Sequence, residues 1–81
     1  MAKVEVNMPR FGATMKEGKI LEWYVKVGDN VKEEQELVRI ESEKMEAEVE
    51  ALVSGVITEI IAEEGETYEV GAILAYIEEE A

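Results

Sequence analysis

The feature that most constrains this chain is an internal duplication. GKILEWYVKVGDNVKEEQELVRIE (18–41) lies over GVITEIIAEEGETYEVGAILAYIE (55–78) without a gap, at an offset of 37 residues. Gly18 falls on Gly55, Ile20 on Ile57, Glu22 on Glu59, Gly28 on Gly65, Leu37 on Leu74, Ile40 on Ile77 and Glu41 on Glu78. Repeat arrays need at least about three units to bury a continuous core, so two copies have to close on each other instead. The duplication predicts two similar halves that bury their apolar faces together about an approximate two-fold axis. A chain of 81 residues makes this a single domain, 1–81, with too little interior for both a core and a deep substrate chamber. Function is therefore expected on the surface.

Each half reads as strands. Turns are predicted at VGDN (27–30) and EGET (64–67), and the segments between them are short and rich in Val, Ile and aromatics. The clearest strand is 45–51, with Met45, Ala47, Val49 and Ala51 on one face and Glu46, Glu48 and Glu50 on the other. Pro9 has no N–H and belongs at a strand end or edge, so MPRFGATMKEG (8–18) is read as the first strand running into a glycine-bounded loop. The expected fold is all-β: about eight short strands in two four-stranded antiparallel sheets, a flattened barrel or sandwich with internal pseudo-two-fold symmetry, a barrel-sandwich hybrid. Trp23, Tyr24, Tyr68, Tyr76 and Phe11 are assigned to core or rim packing.

Composition removes several classes of function. A net charge of −12 opposes the phosphate neutralisation on which binding to nucleic acid or anionic lipid depends. Such acidity would suit a disordered chain, but 47% of the residues are hydrophobic and they are patterned, so the carboxylates are expected to coat a folded surface. There is no cysteine and no histidine, so neither a Ser-His-Asp nor a Cys-His arrangement can be assembled. A lone aspartate, Asp29, cannot build an Asp-rich calcium loop, no phosphate-binding glycine loop ending in Lys-Ser or Lys-Thr is present, and no metal site is expected. MAKVEVNMPRF lacks the apolar run of a signal peptide and no stretch approaches bilayer length, so a soluble, cytoplasmic protein is expected. The domain itself is expected to be monomeric.

One residue stands apart. Strand 37–42 precedes Glu43-Lys44 and the alternating strand follows, which puts Lys44 at the tip of a tight hairpin. The duplication maps Lys44 onto Asn7 in one direction and Ala81 in the other, so the two-fold partner of this tip is where the chain ends meet. Lys44 is then exposed, held by a stiff scaffold and remote from the termini. The plain alternative is an ordinary surface lysine in a turn.

The sequence resembles the lipoyl domains of the acyltransferase (E2) subunits of 2-oxo acid dehydrogenase complexes, within the wider biotinyl/lipoyl attachment family. MPRFGATMKEGKI (8–20) is similar to the opening segment of such domains, WYVKVGDNV (23–31) to their Trp-x-Val-Lys-x-Gly-Asp-x-Val stretch, and ESEKMEAEVEA (41–51) to their attachment hairpin. SGVITEIIAEEGETYEVGAILAYI (54–77) resembles the second half. The resemblance implies that Lys44 is amide-linked to lipoic acid by a lipoate-protein ligase or lipoyl transferase that recognises Glu43 and Met45. It implies a non-catalytic carrier whose arm is reductively acylated at the thiamine-diphosphate-dependent decarboxylase (E1). The arm then passes the acyl group to coenzyme A in the acyltransferase core and is reoxidised by dihydrolipoamide dehydrogenase (E3). By the same analogy the loop 10–18, with Thr14, Met15 and Lys16, lies beside the hairpin and helps the decarboxylase recognise its own carrier.

Two other readings remain. Biotinyl carriers share the family, and their attachment motif typically reads Met-Lys-Met, so Met45 points to biotin while Glu43 and the opening segment point to lipoate. An unmodified interaction domain of the same fold is the second. Leu52, where many relatives carry proline, leaves the attachment hairpin unaffected.

Overall fold

Each half of the duplication folds into the same run of strands. The computed structural model describes residues 2–80. In it β1 (Lys3–Asn7), β2 (Glu17–Trp23), β3 (Asn30–Val31) and β4 (Glu36–Glu41) are followed by β5 (Glu46–Glu50), β6 (Gly55–Ile60), β7 (Thr67–Glu69) and β8 (Ile73–Glu79). They form two four-stranded sheets, ordered β1-β8-β6-β3 and β5-β4-β2-β7, and every pairing is antiparallel. No helix is long and apolar enough to cross a membrane among the described residues.

The offset of the duplication reappears in the backbone hydrogen bonds. Gly28 N–H donates to Ile57 O at 2.7 Å and Gly65 N–H to Ile20 O at 2.8 Å. Ile57 N–H donates to Asp29 O at 2.9 Å and Ile20 N–H to Glu66 O at 2.9 Å. The turn of each half is thus bonded to the first strand of the other, so neither half satisfies its own backbone alone. Each of these turns needs a left-handed residue, supplied by Gly28 at φ 97° and Gly65 at φ 90°.

The apolar faces meet in one core that includes Ile20, Leu37, Val38, Ile40, Ile57, Leu74, Ala75 and Ile77, all at most 1% exposed, with no buried polar side chain among the described residues. Strict alternation does not produce this list. Leu37 and Val38 are adjacent and both buried, as are Leu74 and Ala75. The register skips Leu37 between the pairs Glu36↔Glu50 and Val38↔Val49, and it skips Leu74 between Asn7↔Ile73 and Val6↔Ala75. A bulge puts two residues opposite one and increases local twist, so each leucine gains an inward position and each sheet bends around the core.

Three sequence expectations shift on contact with the structure. The first strand lies at Lys3–Asn7, upstream of Pro9, and the chain leaves the sheet soon after Met8. Met8 still bonds on both sides, N–H to Ala72 O and O from Gly71 N–H, each at 2.9 Å, while Pro9 has no donor to offer. The alternating strand is shorter than 45–51, because Met45 closes the hairpin turn and is exposed. Aromatic packing divides: Trp23 and Tyr68 pack against the core, Trp23 Nε1–H donating to Ala62 O at 2.8 Å, whereas Tyr24 and Phe11 are exposed.

One strained position departs from the symmetry. Glu34 has φ 73° where its mate is Gly71 at φ 92°; their N–H groups make matching bonds to Ala51 O and Met8 O. A left-handed non-glycine residue costs roughly 1–2 kcal/mol, partly offset by the chain entropy that glycine loses on folding. Glu34→Gly is expected to raise stability by up to about 1 kcal/mol, an increase of roughly 4–8 °C in melting temperature for a domain of this size. Calorimetry reads this directly, and a lowered melting temperature would show that backbone entropy outweighs the strain.

Candidate functional site

Antiparallel β4 and β5 pair from Glu36↔Glu50 to Glu41↔Glu46, leaving a short loop between them. Ser42 closes it: its N–H donates to Met45 O at 2.7 Å and its Oγ to the same oxygen at 3.1 Å. Glu43 and Lys44 alone project beyond this closure, and both are exposed. The matching bond in the other half is Glu79 N–H to Ala2 O at 2.8 Å, where β8 ends and β1 is about to begin. The hairpin tip and the region of the chain ends are thus two images of one feature. Ala81, onto which the offset maps Lys44, lies outside the described residues.

The outer face of this hairpin is cross-linked by one cation. Arg39 on β4 faces Glu48 on β5 and is hydrogen-bonded to the carboxylates of both Glu46 and Glu48. The hydrogen bond to Glu46 is the main cause that raises the guanidinium pKa above its ordinary value, and Arg39 stays charged at any pH the fold survives. The guanidinium remains partly solvated, so the pairs add little to global stability. Their effect is local, because they tie down the two strands that carry the tip.

Lys44 makes no ion pair among the described residues, although Glu43 adjoins it and the chain as a whole is strongly acidic. Its primary amine protrudes from a hairpin that Ser42 closes and Arg39 cross-links. Among the described residues no group of three or more His, Cys, Asp or Glu side chains is placed to hold a metal ion.

The sequence-derived site residues come together. Glu43, Lys44 and Met45 share an open groove with Thr14, Met15 and Lys16, which lie on the long connection between β1 and β2. This connection is anchored at its far end by Val70 N–H donating to Lys16 O at 2.9 Å. Inside it, Met15 N–H donates to Gly12 O at 3.1 Å and Phe11 N–H points at Met15 Sδ at 3.2 Å. Sequence reasoning missed Arg39 and Ser42, and it named Phe11 only as a packing residue within the loop 10–18. A serine immediately before a two-residue turn was a usable signal, but the pairing of Arg39 with two glutamates depends on strand register, and the groove wall at Phe11 depends on a loop that carries no periodicity.

The model of the family described as "Biotin-requiring enzyme" (Biotin_lipoyl) matches residues 4–77. The chain belongs to the biotin/lipoyl attachment family. Among the curated proteins this attachment domain is similar to the dihydrolipoyllysine-residue acetyltransferase component of the pyruvate dehydrogenase complex of Corynebacterium glutamicum, 38% identical over 76 residues. That match covers 94% of the chain and 11% of the relative. It is also similar to the lipoamide acyltransferase component of the branched-chain alpha-keto acid dehydrogenase complex of Bacillus subtilis, 38% identical over 80 residues, or 99% of the chain and 19% of the relative. The chain thus spans between about a tenth and a fifth of the length of these relatives. Among solved structures it resembles the lipoyl domain of the 2-oxoglutarate dehydrogenase complex of Azotobacter vinelandii, with a TM-score of 0.73 and 32% identity. Here coverage is nearly complete on both sides, 94% of this chain and 99% of that one, so the likeness is of one whole domain to another.

Proposed function

We propose that this attachment domain is a lipoyl carrier, modified at Lys44, that serves a 2-oxo acid dehydrogenase complex of the kind to which its relatives belong. The observation that carries the reading is the exposed amine at the two-residue tip of a cross-linked hairpin, with no ion pair among the described residues to hold it back. In the modification step the Nζ lone pair attacks the carbonyl of an activated lipoyl donor. The C–N bond forms, the activating group leaves and the amine gives up a proton, which yields an amide. When bound, the lipoyl group supplies a dithiolane that takes up electrons with an acyl group and delivers the acyl group to coenzyme A.

The chain's own residues present and orient. Glu43 and Met45 flank the amine and are the side chains that a lipoate-protein ligase or lipoyl transferase meets first. Thr14, Met15 and Lys16 border the same groove, and we assign them to recognition by the decarboxylase component, because a partner that reaches the arm at Lys44 also meets this loop. The acyltransferase core and dihydrolipoamide dehydrogenase complete the set of partners. Tethering keeps the effective concentration of the arm high without a tight docking surface, so the domain needs no catalytic group of its own.

Met45 supports a second reading, a biotinyl carrier, because it stands exposed directly after the lysine. Intact-mass measurement separates the readings. The protein is incubated in parallel with lipoate and its ligase and with biotin and its ligase. A lipoyl increment is expected; a biotinyl increment alone would move the domain to carboxylase chemistry, and an unchanged mass in both would leave the fold without carrier use.

A further inference from the structure

The groove beside Lys44 has a property that modification alone does not require, namely an apolar seat. Phe11, Met15 and Met45 all line it. Phe11 and Met45 are among the few large hydrophobic side chains left exposed, at 38% and 44%. Met15 is partly buried against the core and is fixed in place by the Phe11 N–H contact to its sulfur. One of the three side chains is thus held at the groove before anything occupies it. Gly18 lets Met8 and Met15 pack closely beneath the groove, since a Cβ there would lie 3.4 Å from Met15 Cε and 2.9 Å from Met8 Sδ.

Charge narrows the occupant. The lining carries three lysines and three glutamates, and once Lys44 becomes a neutral amide it keeps two lysines and three glutamates, a near balance unlike the −12 of the whole chain. A neutral occupant is then neither attracted nor repelled by the rim, and a charged partner gains little. Two thioethers and an aromatic ring suit a polarisable, apolar sulfur group, because methionine adapts its shape and sulfur packs well against ring edges.

We propose that Phe11, Met15 and Met45 form a resting seat for the dithiolane of a lipoyl group carried on Lys44. The inference rests on the lipoyl-carrier reading above. Lys44 itself lines the groove, so a group attached to its Nζ starts inside and reaches the seat by folding back. Contact with three side chains is weak, and only the high effective concentration of a tethered group populates it. The arm therefore alternates between the seat and solvent. The seat shields the ring between visits to partner sites without holding it there.

The test uses protein labelled with ¹³C at the methionine ε-methyl groups, in three forms verified by intact mass: unmodified, lipoylated and octanoylated at Lys44. The octanoyl arm keeps the chain and lacks the dithiolane. The Met15 methyl resonance is expected to shift in the lipoylated form and to stay near its unmodified position in the octanoylated form, while the buried Met8 stays still in both. Nuclear Overhauser contacts should join dithiolane protons to the Phe11 ring, and Phe11→Ala should abolish the Met15 shift while the lipoyl mass increment persists. An increment with no Met15 shift would overturn the seat and leave the carrier reading standing. Equal shifts with the octanoyl arm would show that the groove takes an aliphatic chain, which overturns the assignment to the dithiolane. Absence of any lipoyl increment would overturn both.

Discussion

Lys44→Arg is expected to remove the lipoyl mass increment entirely and to leave the fold as it was. The guanidinium stays protonated and has no nucleophilic lone pair to form the amide, so the loss is of the reaction and not of a fraction of its rate. Stability should hold, because Lys44 is exposed and makes no ion pair among the described residues; a surface exchange of this kind costs within about 0.5 kcal/mol. In a domain of this size that is a change of at most about 4 °C in melting temperature. Intact mass and calorimetry on the same sample decide the matter. If the arginine variant still gained lipoate, attachment would have to move to another amine, and Lys16 or Lys19 on the same groove would be the first to examine.

The largest expected loss of stability lies far from the lysine, at a residue with no chemistry. A methyl group on Gly55 would fall 2.1 Å from the Glu78 carbonyl oxygen and 2.9 Å from Ile77 Cγ2. Both obstacles belong to β8, which is held between β1 and β6 by ladders on its two sides, so neither can withdraw without breaking pairing. Gly55→Ala is expected to cost about 3 kcal/mol or more, at the upper end of overpacking effects, and to lower the melting temperature by about 12 °C or more. Gly18 is the internal control. Its added methyl meets mainly the Met8 side chain, with Sδ at 2.9 Å and Cε at 3.2 Å, and a thioether turns aside cheaply. Gly18→Ala should cost about 1 kcal/mol, and two variants with equal melting temperatures would refute the steric account.

The same pair of glycines shows where sequence reasoning stops. In the duplication Gly18 and Gly55 occupy one position, and nothing in the residues around them ranks one above the other. The difference arises because β6 passes close to the backbone of β8 at Gly55, while the matching space at Gly18 is taken by the methionine that follows β1. Burial on the strands has a similar history. Period-two alternation identifies the inward face of 47–51 but misses that Leu37 and Val38, or Leu74 and Ala75, face inward together, since a bulge depends on pairing between strands and leaves no periodic trace.

What the amino-acid order determined by itself was whatever depends on local pattern and repetition: the all-β class, the two equivalent halves, the turns at Gly28 and Gly65, and a hairpin tip occupied by Lys44. Hydrophobic period and glycine conformational freedom act over a few residues, and an ungapped repeat makes their reading twice over. Tertiary structure alone decided that Arg39 bridges Glu46 and Glu48 and that Ser42 locks the tip, and it made a groove wall of Phe11 and Met15 in the loop 10–18, which the family resemblance had already set beside the hairpin. Those contacts join residues whose separation along the chain carries no signal, and they follow from strand register and from the course of one aperiodic loop.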